Sequence, residues 1–164
     1  MKKTFRFLIL KKKDALLFRE VRLKALQDSP DSFGGTYEEE SEKPISYWEE
    51  LVNKKPDKSV IFAAEYDKKL IGTLFCFCRE KDICGFGGIW VDPFHRKKGV
   101  ASALVKKGIA WAKKNSLEKI TLWNTEINEA AKNMYKKFGF EPTGNKRLLE
   151  SNKNFTIQEW VKIL

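Results

Sequence analysis

The residues best suited to chemistry lie in one run, Val91-Asp92-Pro93-Phe94-His95-Arg96-Lys97-Lys98-Gly99-Val100-Ala101-Ser102-Ala103-Leu104. An apolar stretch, Ile89-Trp90-Val91, stops at a proline; a basic, glycine-bearing turn follows, and an amphipathic helix starts at once. The first amides of a helix lack intrahelical acceptors and sit at the positive end of the macrodipole. Small residues such as Gly99 and Ala101 let an anion approach that backbone closely. The run therefore reads as a phosphate cradle. Gly-x-x-x-x-Gly-Lys-Ser/Thr and Gly-x-Gly-x-x-Gly are both absent, which argues against a P-loop nucleotidase and a dinucleotide site. A βα connection with a solvated basic turn would carry the same residues.

Two motifs narrow the choice. The first is Arg-x-x-Gly-x-Ala (Arg96, Gly99, Ala101) behind Val-Asp-Pro; the second is Asn128-Glu129-Ala130-Ala131-Lys132-Asn133-Met134-Tyr135-Lys136-Lys137-Phe138-Gly139-Phe140. In their order and separation they resemble the acyl-CoA pyrophosphate loop and the Asn-x-x-Ala-x-x-x-Tyr-x-x-x-Gly-Phe helix of the GNAT superfamily of N-acyltransferases. The resemblance implies acetyl-CoA as co-substrate, with no metal. It implies that amides of Lys97, Lys98, Gly99, Val100, Ala101 and Ser102 hold the pyrophosphate, Arg96 adding charge. It also implies that the backbone of Ile89, Trp90 and Val91 bonds pantetheine as a pseudo-strand, and that Asn128 bonds it or its neighbouring backbone. Asn128 reads equally as a helix N-cap.

Tyr135 follows Ala131 by one helical turn and Asn128 by two, so the three share a face. The resemblance makes Tyr135 the general acid for the departing thiolate. An ordinary phenol near pKa 10 against a thiol near 8.5 is about 2 kcal/mol uphill for full transfer, which favours hydrogen-bond donation completed late. A core tyrosine is the alternative. The acceptor amine must also lose a proton, at a cost of roughly 4–5 kcal/mol for a lysine-like amine near pH 7. Neither Gly85-Phe86-Gly87-Gly88 nor Thr121-Leu122-Trp123-Asn124 supplies an in-strand carboxylate. Glu126, Glu80 and Asp82 are the nearest candidates, and a surface charge is the plainer reading of each. Gly87 and Gly88 mark a bulge or a flexible hairpin. By resemblance, the acceptor pocket draws on Phe33, Tyr37, Glu38 to Glu40, Tyr47, Trp48 and, beyond them, Glu126. Acidic residues beside aromatics suit a cationic amine, although a charge run is also an ordinary solvated face.

Length and composition set the frame for these residues. A chain of 164 residues with 42% hydrophobic content suits one domain, 1–164, with a real core. No apolar run approaches a membrane span, and Lys11-Lys12-Lys13-Asp14 interrupts Met1-Lys2-Lys3-Thr4-Phe5-Arg6-Phe7 too early for a signal peptide. The expected location is the cytoplasm. Three cysteines argue against a disulfide framework. A metal site would need more ligands than Cys76, Cys78, Cys84 and the single histidine, His95, provide at useful spacing. The net charge of +10 suits an anionic partner. Basic residues interleaved with exposed aromatics are not evident, which disfavours nucleic acid.

The elements that must position these residues are legible from periodicity and turn signals. Strands are expected over 4–9, 59–66, 70–79, 83–91, 120–123, 146–149 and 155–163, with a tight turn at Asp67-Lys68-Lys69. Helices are expected over 14–27 (apolar face Leu16, Leu17, Val21, Leu26), 45–53, 98–115 and 128–138, with 29–36 irregular. This α/β (α+β) order predicts a mixed, mostly antiparallel sheet of about seven strands flanked by helices. By resemblance, the fourth and fifth strands splay apart. The expected activity is acetyl transfer from acetyl-CoA to a primary amine, a small molecule or a protein amine, directly in a ternary complex. A non-catalytic acyl-CoA-binding module and a basic nucleic-acid binder are the alternatives. The closing strand 155–161 could pair across a homodimer.

Overall fold

In the computed structural model, which describes residues 4–164, a seven-stranded sheet runs in the order β1-β2-β3-β4-β5-β7-β6. The strands are β1 (Arg6–Ile9), β2 (Ser59–Tyr66), β3 (Lys69–Glu80), β4 (Ile83–Val91), β5 (Lys119–Thr125), β6 (Glu141–Leu148) and β7 (Thr156–Ile163). Met1-Lys2-Lys3, the start of the N-terminal reading, lie outside the described residues. The helices are α1 (Ala15–Asp28), α2 (Tyr37–Ser41), α3 (Ile45–Val52), α4 (Val100–Lys114) and α5 (Glu129–Lys137). β1 to β4 form an antiparallel meander, and β4 alone pairs in parallel, with β5. The β2–β3 hairpin turns through Asp67 and Lys68, both at positive φ (52° and 62°), the conformation that matches the twist of the flanking strands.

Two apolar clusters sandwich the sheet. Leu104, Val105 and Ala112 of α4 and Tyr135 of α5 join Leu74, Cys76, Phe86, Ile120, Leu122 and Trp160 on one face. Phe18, Val21, Ala25 and Leu26 of α1 join Trp48, Ile61, Ala63 and Trp90 on the other. The cysteines are free, with Cys76 and Cys84 buried. The buried stripe of α1 is Ala15, Phe18, Val21, Ala25 and Leu26, whereas Leu16 is 61% and Leu17 39% exposed. The expected face was misplaced there because at about 100° per residue Leu16 and Val21 lie about 140° apart on a helix.

α2 was not anticipated. Its signal was present in Thr36-Tyr37-Glu38-Glu39, half of a capping box, and Thr36 Oγ1 accepts from the Glu39 amide at 3.2 Å. β6 begins five residues earlier than expected. It is exposed along its whole length and interrupted between Pro142 and Lys146, so it lacks the alternation that reveals a strand.

Candidate active site

The parallel pairing of β4 and β5 runs from Ile83↔Lys119 to Phe86↔Leu122 and ends there. Beyond it the strands splay. Gly87 to Val91 keep β3 on one side and on the other face a cleft of about 550 Å³. The cleft floor combines Phe86 to Val91, Leu122 to Asn124, the start of α4 and one face of α5. An unpaired strand edge beside the N-terminus of a long helix offers aligned amides to one extended ligand that carries an anionic end.

The turn into α4 is shaped for that end. Lys97 (φ +60°) and Gly99 (φ +81°) are both left-handed, which curls the backbone tightly just ahead of the helix. A Cβ on Gly99 would meet nothing within 4 Å, so glycine is favoured there by its torsion and not by space. Val100, Ala101 and Ser102 form the first helical turn, whose amides precede the first intrahelical bond, from the Ala103 amide to Gly99 O at 3.0 Å. Lys98 turns away; its Nζ donates to Phe94 O at 2.9 Å.

Two carboxylates brace this turn from beneath, and the sequence reading had missed both. Asp92, 3% exposed, accepts from the Phe94 amide at 3.0 Å, contacts Lys24 Nζ of α1, and has His95 Nδ1 at 3.3 Å. Burial raises its carboxyl pKa, but the bonds from Lys24, Phe94 and His95 outweigh it and hold the group below the usual range. Asp28, at the C-terminus of α1, accepts from Trp90 Nε1 at 2.9 Å and from Ser29 Oγ at 2.6 Å, and pairs with the Arg96 guanidinium. Arg96 Nε donates to Val91 O at 2.9 Å. Burial pushes the Asp28 carboxyl up, and the bonds from Ser29, Trp90 and Arg96 bring it below its ordinary value. A clue existed in the sequence. An acidic residue in the last turn of a helix opposes the macrodipole and asks for a tertiary partner. His95 packs its ring against Tyr66 (5.1 Å) and Phe5 (6.2 Å), a packing role at the rim of the cleft.

α5 supplies the opposite wall. The Asn128 side chain caps the helix by accepting from the Ala131 amide at 3.1 Å, and Asn128 and Ala131 both line the cleft. Tyr135 is 5% exposed, lines the same cleft and packs on Phe140 (5.7 Å between ring centres) and Trp160 (6.3 Å). Burial pushes its phenol well above the ordinary value, so it stays protonated through the physiological range.

One cleft thus brings together Ile89, Trp90, Val91, Arg96, Lys97, Gly99, Val100, Ala101, Ser102, Asn128, Ala131, Tyr135 and Phe33. A second cavity, about 170 Å³, lies between α1, α2, α3 and the sheet; it takes in Trp48. Gly88 lines both. Gly88 and Ile89 stand opposite Leu74 alone, a bulge between the Thr73↔Trp90 and Phe75↔Gly87 pairs, and Gly88 has φ +58°. Thr73 Oγ1 donates to Gly88 O at 2.9 Å and fixes the bulge. Tyr37 and Glu126 line neither cavity: Tyr37 packs on the α1–α3 cluster, and Glu126 pairs with Lys146 at 2.5 Å. Glu80 and Asp82 sit at the far end of β4, about 26 Å along an eight-residue extended run from Val91. No group of three or more metal-ligating side chains gathers among the described residues.

A mixed sheet opened between two parallel strands, with a left-handed basic turn feeding a helix beneath the opening, defines an acyltransferase architecture. The model of the acetyltransferase (GNAT) family matches residues 23–140, and the chain belongs to that family. An uncharacterized N-acetyltransferase of Methanocaldococcus jannaschii is 32% identical over 93 residues, covering 53% of this chain and 41% of that protein. The match thus spans about two fifths of that relative's length. A GNAT-family acetyltransferase from Streptococcus pneumoniae superposes with a TM-score of 0.84 at 19% identity, covering 98% of this chain and 99% of the other. A Bacillus anthracis acetyltransferase solved in complex with acetyl coenzyme A superposes with a TM-score of 0.60 at 24% identity, over 68% of this chain and 66% of that one. Among the described residues no helix is long and apolar enough to cross a membrane.

Proposed function

We propose that this protein is an N-acetyltransferase that moves the acetyl group of acetyl-CoA directly to a primary amine bound beside it. The observation that carries the reading is the single cleft that unites the left-handed turn at Lys97–Gly99, the open edge of β4 and the buried phenol of Tyr135. The first-turn amides of α4 take the pyrophosphate, and the open edge of β4 takes the pantetheine amides. Arg96, held by Asp28 and by Val91 O, fixes the approach to the turn. The acetyl-CoA bound by the Bacillus anthracis relative supports the same donor here.

In the transfer, the bound ammonium first gives one proton to water in the open cleft, and the neutral amine nitrogen attacks the thioester carbon. The C–S bond breaks, and the nitrogen releases its second proton to water while the departing thiolate takes one up. Tyr135 donates its hydrogen bond to the sulfur as negative charge develops there. Because burial raises the phenol, full proton transfer to the thiolate is costlier than the ordinary 2 kcal/mol gap suggests. Tyr135 therefore stabilises the leaving group by donation, and the proton moves late.

Replacing Tyr135 with Phe tests this directly. The expected result is a fall in free-thiol release of about 100- to 10,000-fold, the range of one positioned acid, with acetyl-CoA affinity within a few-fold of wild type. An unchanged rate would remove Tyr135 from the chemistry.

A further inference from the structure

We propose that the cavity behind Gly88 is the acceptor pocket and that it selects a compact monoamine with an apolar, ring-sized body, its ammonium held by Glu40. This rests on the acetyl-transfer reading above. Gly88, the bulge residue fixed by Thr73, lines both cavities, which places the head of a molecule in the smaller one at the bulge beside the donor cleft under this proposal.

Charge selects the head. Of the residues lining either cavity, Glu40 is the one carboxylate. Its side chain is 13% exposed and fixed by Arg22, whose Nε and one terminal nitrogen donate at 2.9 and 2.6 Å. Arg22 in turn lies over the Phe33 ring at 4.7 Å, at the edge of the donor cleft. Gly35 leaves the carboxylate its place, since a Cβ there would come within 2.2 Å of Glu40 Oε1. An ionised carboxylate offers about four lone-pair sites. Arg22 occupies two, which leaves acceptor capacity for an ammonium.

Size and lining select the body. A cavity of about 150 Å³ lined by apolar side chains holds benzene, so 170 Å³ suits roughly six to eight heavy atoms. Phe18, Tyr47, Trp48, Leu51, Ile61 and Phe75 form its walls, a surface for an aliphatic or aromatic ring and for cation–π contact with the ammonium. The Arg22–Glu40 pair leaves the cavity neutral overall, and the chain carries +10. A polycation thus meets one compensated carboxylate and a repulsive field. A polypeptide terminus would bring more atoms than the cavity admits.

The test uses the full chain with acetyl-CoA and three amines: 2-phenylethylamine, spermidine and an alanine-headed peptide. Acetyl-CoA binding is followed by calorimetry and transfer by free-thiol release. The expected result is kcat/KM for 2-phenylethylamine at least tenfold above the other two. Glu40→Gln should raise its KM about 10- to 100-fold, the value of one charge-assisted hydrogen bond, and leave acetyl-CoA affinity unchanged. Leu51→Phe, which narrows the cavity, should raise KM for 2-phenylethylamine while ethylamine keeps its wild-type KM. Binding of acetyl-CoA with preference for spermidine or the peptide, or an unchanged KM in both variants, would overturn the acceptor assignment alone. Absence of acetyl-CoA binding would overturn the transfer reading beneath it.

Discussion

Asp28→Asn isolates the brace under the pyrophosphate turn. The wild-type carboxylate accepts from Trp90 Nε1 and Ser29 Oγ and pairs with Arg96. Trp90 is 4% exposed and the amide oxygen of the variant still accepts from it, but exchanging a charged acceptor for a neutral one weakens the Trp90 and Ser29 bonds by about 1 kcal/mol. The Arg96 contact is 45% exposed on the arginine side and contributes about 0.2–1 kcal/mol after screening. Together these give about 1–2 kcal/mol at neutral pH. For a chain of 164 residues that is a fall in Tm of about 2–8 °C.

The pH dependence has a definite sign. Asp28 titrates below its ordinary 3.8 in the folded protein, so its stabilisation is fully present above that value and is lost as pH falls through the folded pKa. The difference between wild type and Asp28→Asn should hold constant from pH 8 to pH 5 and close toward pH 3. Thermal or urea unfolding at pH 7 and pH 3 measures it. An equal difference at both pH values, or none at pH 7, would refute the brace.

Two further substitutions probe the turn and the helix behind it. Gly99→Ala forces a Cβ into a left-handed torsion worth about 1–2 kcal/mol, with no steric neighbour to blame. Calorimetry and melting should show weaker acetyl-CoA binding or a Tm lower by about 2–8 °C, and no change in either would mean the torsion is not required. Gly108→Val places a Cβ 2.6 Å from Phe86 Cζ and 2.8 Å from Leu74 Cδ2. Urea unfolding should report a loss of about 1–3 kcal/mol, the usual range for overpacking.

Much of this was legible in the chain because local chemistry and tertiary role coincide. The β4–α4 run announced itself through Pro93, the basic turn and Gly99, and β2, β4 and α3 fall close to their expected limits. The Asn128 cap, which needs only its own helix, is formed as its residue type suggests. What stayed hidden depends on distant partners. Asp28 meets Arg96 across 68 residues and Glu40 meets Arg22 across 18, and no periodicity encodes either. β6 is an edge strand with both faces exposed, so no pattern of burial marks it. Leu16 and Leu17 show the limit of counting apolar residues without their angles, since α1 buries the smaller Ala15 and Ala25 in their place.

The most direct test of the central claim is amide hydrogen exchange with and without acetyl-CoA. The account predicts slowed exchange confined to the open edge of β4 (87–91) and the turn and first helical turn at 97–103, with the exposed strand β6 unchanged. Protection elsewhere, or none at saturating acetyl-CoA, would contradict it.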